Sequence, residues 1–207
     1  MRRGLSRISA CVERVLRSIV GRLASSASAQ VTELILRLPR EDEEQEFLRA
    51  HHATSPEVPS FLHSYQEGMS FRRYLDLLDA HARGERLPPD HVPSTFLFAF
   101  VGARIVGRVS VRHWLNAFLA RAGGHIGYAI VPEFRRRGYA TTMLCLAIEF
   151  AREKLGIERV LVTCDVDNIG SIKTIERNGG VLENIVTVQG FEKPVRRYWI
   201  EHRLTGL

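Results

Sequence analysis

The chain has 207 residues, 45% of them hydrophobic and 25% charged, which is enough for one domain with a proper core and matches an ordinary soluble protein. No run of eighteen apolar residues occurs, so no segment is expected to span a membrane as a helix. The net charge of +6 is concentrated at the start: six arginines and one glutamate fall in residues 1–30, leaving 23 basic and 22 acidic groups elsewhere. That nearly neutral body lacks the interleaved arginines and aromatics of a nucleic-acid surface.

Residues 1–30 carry apolar positions at helical spacing between the arginines and end in the small, polar stretch "LASSASAQ". They read as an extension outside the fold. A basic amphipathic targeting leader or membrane-surface helix is one form of it, and a dispensable segment is the favoured one. The main domain is expected over residues 31–207. Cys11, Cys145 and Cys164 are too few and too scattered for a disulfide framework or a zinc site, and they read as reduced thiols of a cytoplasmic protein. The eight histidines show no ligand spacing, so no metal is expected.

"VTELILRLP" alternates like a strand, and "REDEEQEFLRAHHA" reads as a helix with acids crowding its first turn. Pro56 and Pro59 break the chain before a second helix around "SFRRYLDLLDAHARG", and residues 84–94 form a loop. The runs "TFLFAFV" and "RIVGRVSVRHW", joined by "GA", predict a hairpin. A polar gap leads to the strand "HIGYAIV". After Gly138 the apolar positions Ala140, Met143, Leu144, Ala147, Ile148, Ala151 and Leu155 predict an amphipathic helix ended by Gly156. "RVLVTCDV" is a buried strand, "NIGSIKTIERNGG" a short helix, and the strands "NIVTVQG" and "RRYWIEH" close the chain. The class is α/β, in its mixed α+β form, around one central sheet.

Between strand and helix lies "EFRRRGYATTM", three arginines against a glycine. A helix start leaves backbone N–H groups without partners, and with the positive end of the helix dipole these bind phosphate. Gly138 lets a ligand approach the main chain closely, Ala140 keeps the next position small, and the arginines add charge-assisted contacts. The two common nucleotide loops, GxxxxGK followed by Ser or Thr and GxGxxG, are absent.

Arg135-Arg136-Arg137-Gly138-Tyr139-Ala140 resembles the coenzyme A loop of the GNAT (Gcn5-related) N-acetyltransferase superfamily: Gln or Arg, two residues, Gly, one residue, then Gly or Ala. "GYAIVPEF" resembles that family's central strand, and "CDVDNIGSIKTIERNGG" its second signature, an Asn at a strand end followed by a short helix. The similarity covers residues 31–204. "GHIGY" and "RYWI" are similar to one uncharacterised bacterial subgroup.

The resemblance implies a GNAT fold, a mostly antiparallel mixed sheet with splayed parallel strands "HIGYAIV" and "RVLVTCDV" and flanking helices. It implies acetyl-CoA as co-substrate, with the pantetheine arm on the main chain of Tyr128, Ala129 and Ile130, the pyrophosphate on the amides from Arg136 to Thr141 beside Arg135, and Asn168 and Ser171 on the pantetheine side. A helix cap is the alternative for Asn168. The implied reaction is direct attack of a primary amine of a small molecule or peptide on the thioester. Relatives place a tyrosine acid where this chain has Ile175, and a glutamate near Thr163 or Gly124.

His125 is the candidate base, weighed against a hydrogen-bonded structural histidine. His113 is a comparable candidate for substrate binding. Glu133 reads as a loop cap, Tyr128 and Tyr198 as packing residues able to donate a proton, and Trp114 and Trp199 as core or pocket wall. Two alternatives stay open: a non-catalytic acyl-CoA sensor of the same fold, and an RNA- or membrane-associated protein working through residues 1–30. A homodimer through C-terminal edge strands is also open.

Overall fold

The computed structural model describes residues 33–54, 61–62, 64–66 and 68–201. The expected extension over residues 1–30 and the break at Pro56 and Pro59 lie outside these residues. A seven-stranded sheet organises the chain: β1 (Leu34–Arg37), β2 (Ser94–Val101), β3 (Arg104–Arg112), β4 (Ile126–Ile130), β5 (Arg159–Asp165), β6 (Val181–Val186) and β7 (Val195–Glu201). Their spatial order is β1-β2-β3-β4-β5-β7-β6, antiparallel throughout except for the parallel pair β4–β5.

Helices cover both faces. On one side α1 (Glu44–Thr54) and α2 (Phe71–Ala82) pack an aromatic core of Phe47, Phe61, Phe71 and Tyr74 against Phe96, Phe98 and Phe100 of β2. On the other, α3 (Tyr139–Leu155) lays Met143, Leu144, Ala147 and Ala151 on Val106, Val109 and Val111 of β3 and Ile126 of β4. The alternation of β3 serves both faces: Val109 and Val111 point to α3 while Arg108, Ser110 and Arg112 face the opposite side, and a register shift against β2 near Gly107 brings Val106 to the α3 face as well. The last helix, α4 (Ile169–Arg177), follows β5 and buries Thr174 and Ile175.

Three sequence expectations need correction. The polar gap before β4 contains a π-helical turn, Leu119–Gly123, with Leu119 and Ala122 buried. The strand expected over "NIVTVQG" begins earlier, at Val181, and ends at Val186, because the chain pairs with Trp199 as soon as it leaves Gly180. A register shift between Leu182 and Asn184 disguises its alternation. Trp114 is no core residue; it is 54% exposed. Among the described residues no helix is long and apolar enough to cross a membrane, and no group of three or more His, Cys, Asp or Glu could hold a metal ion.

Candidate active site

The central feature is the seam between β4 and β5, which pair at a single register position, Ile126 with Val162. Just before it, the His125 N–H donates to the Leu161 carbonyl (2.7 Å) and the Leu161 N–H donates to His125 Nδ1 (2.9 Å). Beyond Ile126 the strands part. The other edge of β4 stays in register with β3, where the Arg112 N–H reaches the His125 carbonyl (2.8 Å) and the Val131 N–H the Val106 carbonyl (3.0 Å). Antiparallel alternation therefore gives Gly127 and Ala129 to β3 and turns the main chain of Tyr128 and Ile130 toward the opened seam. The Ile130 carbonyl accepts from Arg135 Nε (3.3 Å) on that side.

At the far end of β4 a 3-10 turn, Pro132–Phe134, leads into the arginine loop. Glu133 does not cap it. Its carboxylate pairs with Arg49 of α1 (2.5 Å) and Arg104 of β3 (3.3 Å), tying the loop to the other face of the sheet. Arg136 (φ 62°) and Gly138 (φ 84°) both lie in the left-handed region, so the chain coils into a concave run of N–H groups at the start of α3. Among the described residues, the amides of Arg136, Arg137, Gly138, Tyr139 and Ala140 have no main-chain acceptor. The Thr141 amide differs from expectation: it donates to the Gly138 carbonyl (3.0 Å) and closes the first turn of α3. Nothing lies within 4 Å of where a Cβ on Gly138 would stand, so that position opens outward. Arg135, Arg136 and Arg137 are exposed around it, with Arg137 5.5 Å over the Phe134 ring.

On the β5 side, Asn168 Oδ1 accepts the Ser171 N–H (3.0 Å), so this asparagine caps α4. Tyr128 Oη is buried with no hydrogen-bond partner of normal geometry, although the Ser171 and Thr174 hydroxyls of α4 stand near it. Burial raises this phenol to about 12. The Tyr198 hydroxyl reaches Glu176 (3.4 Å). Ile175, standing where relatives carry a tyrosine, is fully buried, and a Cβ on Gly180 would meet its Cγ2 at 2.4 Å. Thr163 donates to the Ala122 carbonyl (2.6 Å) and fastens the π-helical turn to β5. His113 Nε2 lies 3.0 Å from Thr95 Oγ1, which makes it a cross-strand partner.

His125 is buried, and desolvation, helped by the charge of Arg112, pushes it down to about 4. With Nδ1 accepting from Leu161, the ring proton of the neutral form sits on Nε2. Arg112, which the sequence offers only as the neighbour of His113, lies with its guanidinium on the Gly123 carbonyl (3.3 Å) and against Gly127 of β4.

Residues 33–181 match the family described as the acetyltransferase (GNAT) domain. The chain belongs to the GNAT acetyltransferase family. A 59-residue stretch of this GNAT chain is 34% identical to the uncharacterized N-acetyltransferase YjdG of Bacillus subtilis (strain 168), covering 28% of the chain and 35% of the relative. The chain thus matches about a third of the length of that curated relative.

Solved structures share the fold. RimL, a ribosomal L7/L12 alpha-N-protein acetyltransferase in complex with coenzyme A, superposes with a TM-score of 0.60 at 18% identity, over 84% of this chain and 96% of its own. The microcin C7 self-immunity acetyltransferase MccE, in complex with acetyl-CoA and AMP, gives 0.58 at 20% identity, over 82% and 93%. The expected GNAT fold, with a mixed sheet and one splayed parallel pair, is the fold observed.

Proposed function

We propose that the protein is an N-acetyltransferase that moves an acetyl group from acetyl-CoA to a primary amine of a small molecule or peptide. The observation that carries this reading is the seam: strand β4 has main-chain groups at Tyr128 and Ile130 turned toward a gap, and the gap ends at a nest of amides on the start of α3. A pantetheine arm bonds such an edge as an added strand, and a pyrophosphate suits the nest and its arginines. Ala129, Arg135 and Tyr139 frame this path, Thr141 offers its hydroxyl instead of its amide, and Asn168 and Ser171 line the opposite side by the same reading.

In the reaction the amine nitrogen forms a bond to the thioester carbon, the carbon–sulfur bond breaks, the nitrogen gives up a proton and the departing thiolate takes one. Main-chain N–H groups of β4 at the seam would polarise the carbonyl oxygen. His125 is poorly suited as the base: Nδ1 is engaged, Nε2 carries the proton, and a group pushed down to about 4 binds protons weakly near neutrality. We assign it instead to bracing the two strands where they diverge. Tyr128 keeps its proton at neutral pH and is the donor we assign to the thiolate in place of the tyrosine that Ile175 replaces.

The sensor reading keeps one specific support. Ile175 is sealed in the core and Gly124 has no room for a side chain, so neither position supplies the acid or base that relatives use. Calorimetric titration with acetyl-CoA separates these readings when followed by an amine screen. The native protein should bind saturably and consume thioester, and Gly138→Asp, which sets a carboxylate against the pyrophosphate, should lose binding by at least about a hundredfold. Binding without turnover of any amine would favour the sensor, and no binding would end both readings.

A further inference from the structure

The register of β2 on β3, Ser94 opposite Arg112 and Phe96 opposite Ser110, brings these four residues together with Arg108 on the face covered by α1 and α2. They border a partly open cavity of about 330 Å³ whose lining also includes the exposed Asp90. Its size suits a small ligand. Arg108 is buried, with its guanidinium 5.5 Å over the Phe96 ring. Burial and the nearby charge of Arg112 lower Arg108 to about 10, and burial lowers Arg112 as well.

Arg112 donates from Nη1 to the Gly123 carbonyl (3.3 Å), a neutral acceptor, and has no carboxylate partner among the described residues. An enclosed guanidinium without an opposite charge is costly, and an anion that enters meets a ready fork of donors. The fork is also close to the seam. A Cβ on Gly127 would lie 2.9 Å from Arg112 Nη1 and 3.3 Å from Nη2, so the guanidinium lies against the bare α-carbon of the residue before Tyr128.

Resting on the transferase reading above, we propose that this cavity is the acceptor site and that Arg112, with Arg108 behind it, binds a carboxylate carried by the acceptor amine. The substrate class is then a small amine bearing its own carboxylate, of amino-acid size. Asp90 at the rim fits this polarity, since it attracts an ammonium group and repels a phosphate dianion. Ser94 and Ser110 supply hydroxyls to the carboxylate oxygens.

The test compares matched acids and carboxamides, β-alanine with β-alaninamide and glutamate with glutamine, by kcat/KM at fixed acetyl-CoA. The native enzyme should prefer each acid by about tenfold or more, through KM. Arg112→Gln should erase the preference. Gly127→Ala, whose methyl displaces only the mobile end of the guanidinium, should reduce it. Circular dichroism melts check that both variants fold. Equal use of acid and amide by the native enzyme, or a preference surviving in Arg112→Gln, overturns the proposal.

Titration with glutarate, glutaramide and inorganic phosphate separates this proposal from the transferase reading. Saturable glutarate binding that Arg112→Gln abolishes, in a protein that acetylates no amine, supports the carboxylate site while the transferase reading fails. Absence of glutarate binding, or tighter binding of phosphate than of glutarate, overturns the carboxylate assignment.

Discussion

Gly124 has φ of 64°, and a Cβ there would stand 2.6 Å from the Leu161 carbonyl oxygen. The glycine lets β4 start against β5, and the closeness explains why a catalytic glutamate has no place at this position. Gly124→Ala should cost roughly 2–4 kcal/mol, from left-handed strain and the displaced carbonyl together, which urea titration would measure.

His125 makes a second prediction at this scale. Its folded pKa of about 4 lies below the ordinary 6.5, so the unfolded chain binds the extra proton first. Its stabilising effect is complete above about pH 6.5 and is lost as pH falls toward 4, a loss on the order of 2 kcal/mol by pH 4.5. His125→Asn can still accept the Leu161 N–H without titrating, so its unfolding free energy should fall less steeply between pH 7 and 4.5. Parallel slopes for the two proteins would remove this assignment.

Local backbone features were legible in the sequence: the run from Arg135 to Ala140 marks a glycine-opened helix start, because the glycine and the helix are contiguous. Arg112 was not legible, since only the β3–β4 register brings it over Gly127, fifteen residues along the chain. Nor does "RVSVR" say whether its arginines face water or a cavity.

Among elements, the strands and helices with clean periodicity, β2 through α3, lie where their patterns place them. The π-helical turn at Leu119–Gly123 was hidden because its fastenings are distant: Arg197 to the Ala120 carbonyl and Thr163 to that of Ala122. One local signal existed, the Asn116 side chain accepting the Leu119 N–H as a cap does. Strand β4 carries the prediction here. With one edge open, the amides of Tyr128 and Ile130 should exchange hydrogen faster than those of Gly127 and Ala129, which the β3 ladder holds. Saturating acetyl-CoA should slow the first pair by at least about tenfold, as read by exchange mass spectrometry or NMR. No difference between the pairs would argue against an open seam.

At the scale of the molecule, two cores on opposite faces of one sheet fix the position of everything assigned to the site, all of which falls between Asp90 and Ile175. Deleting residues 1–30 should therefore leave the acetyl-CoA dissociation constant within about twofold and the melting temperature nearly unchanged. A larger loss would bring the basic segment into the function. Mixed topology with a parallel pair was foreseeable from the β-α-β stretch. The strand order was not, because β7 inserts between β5 and β6 through contacts that pair residues far apart in sequence.

The parted strands also bear on solubility. Sheet proteins shield their outermost strands from strangers, yet here an unpaired edge lies at the centre of the sheet, where its groups are set for hydrogen bonding to an extended chain. A small molecule that lies along β4 occupies the place an aggregating neighbour would need. On the coenzyme reading proposed above, adding acetyl-CoA should then lower the tendency of the purified protein to aggregate, without any change in its fold.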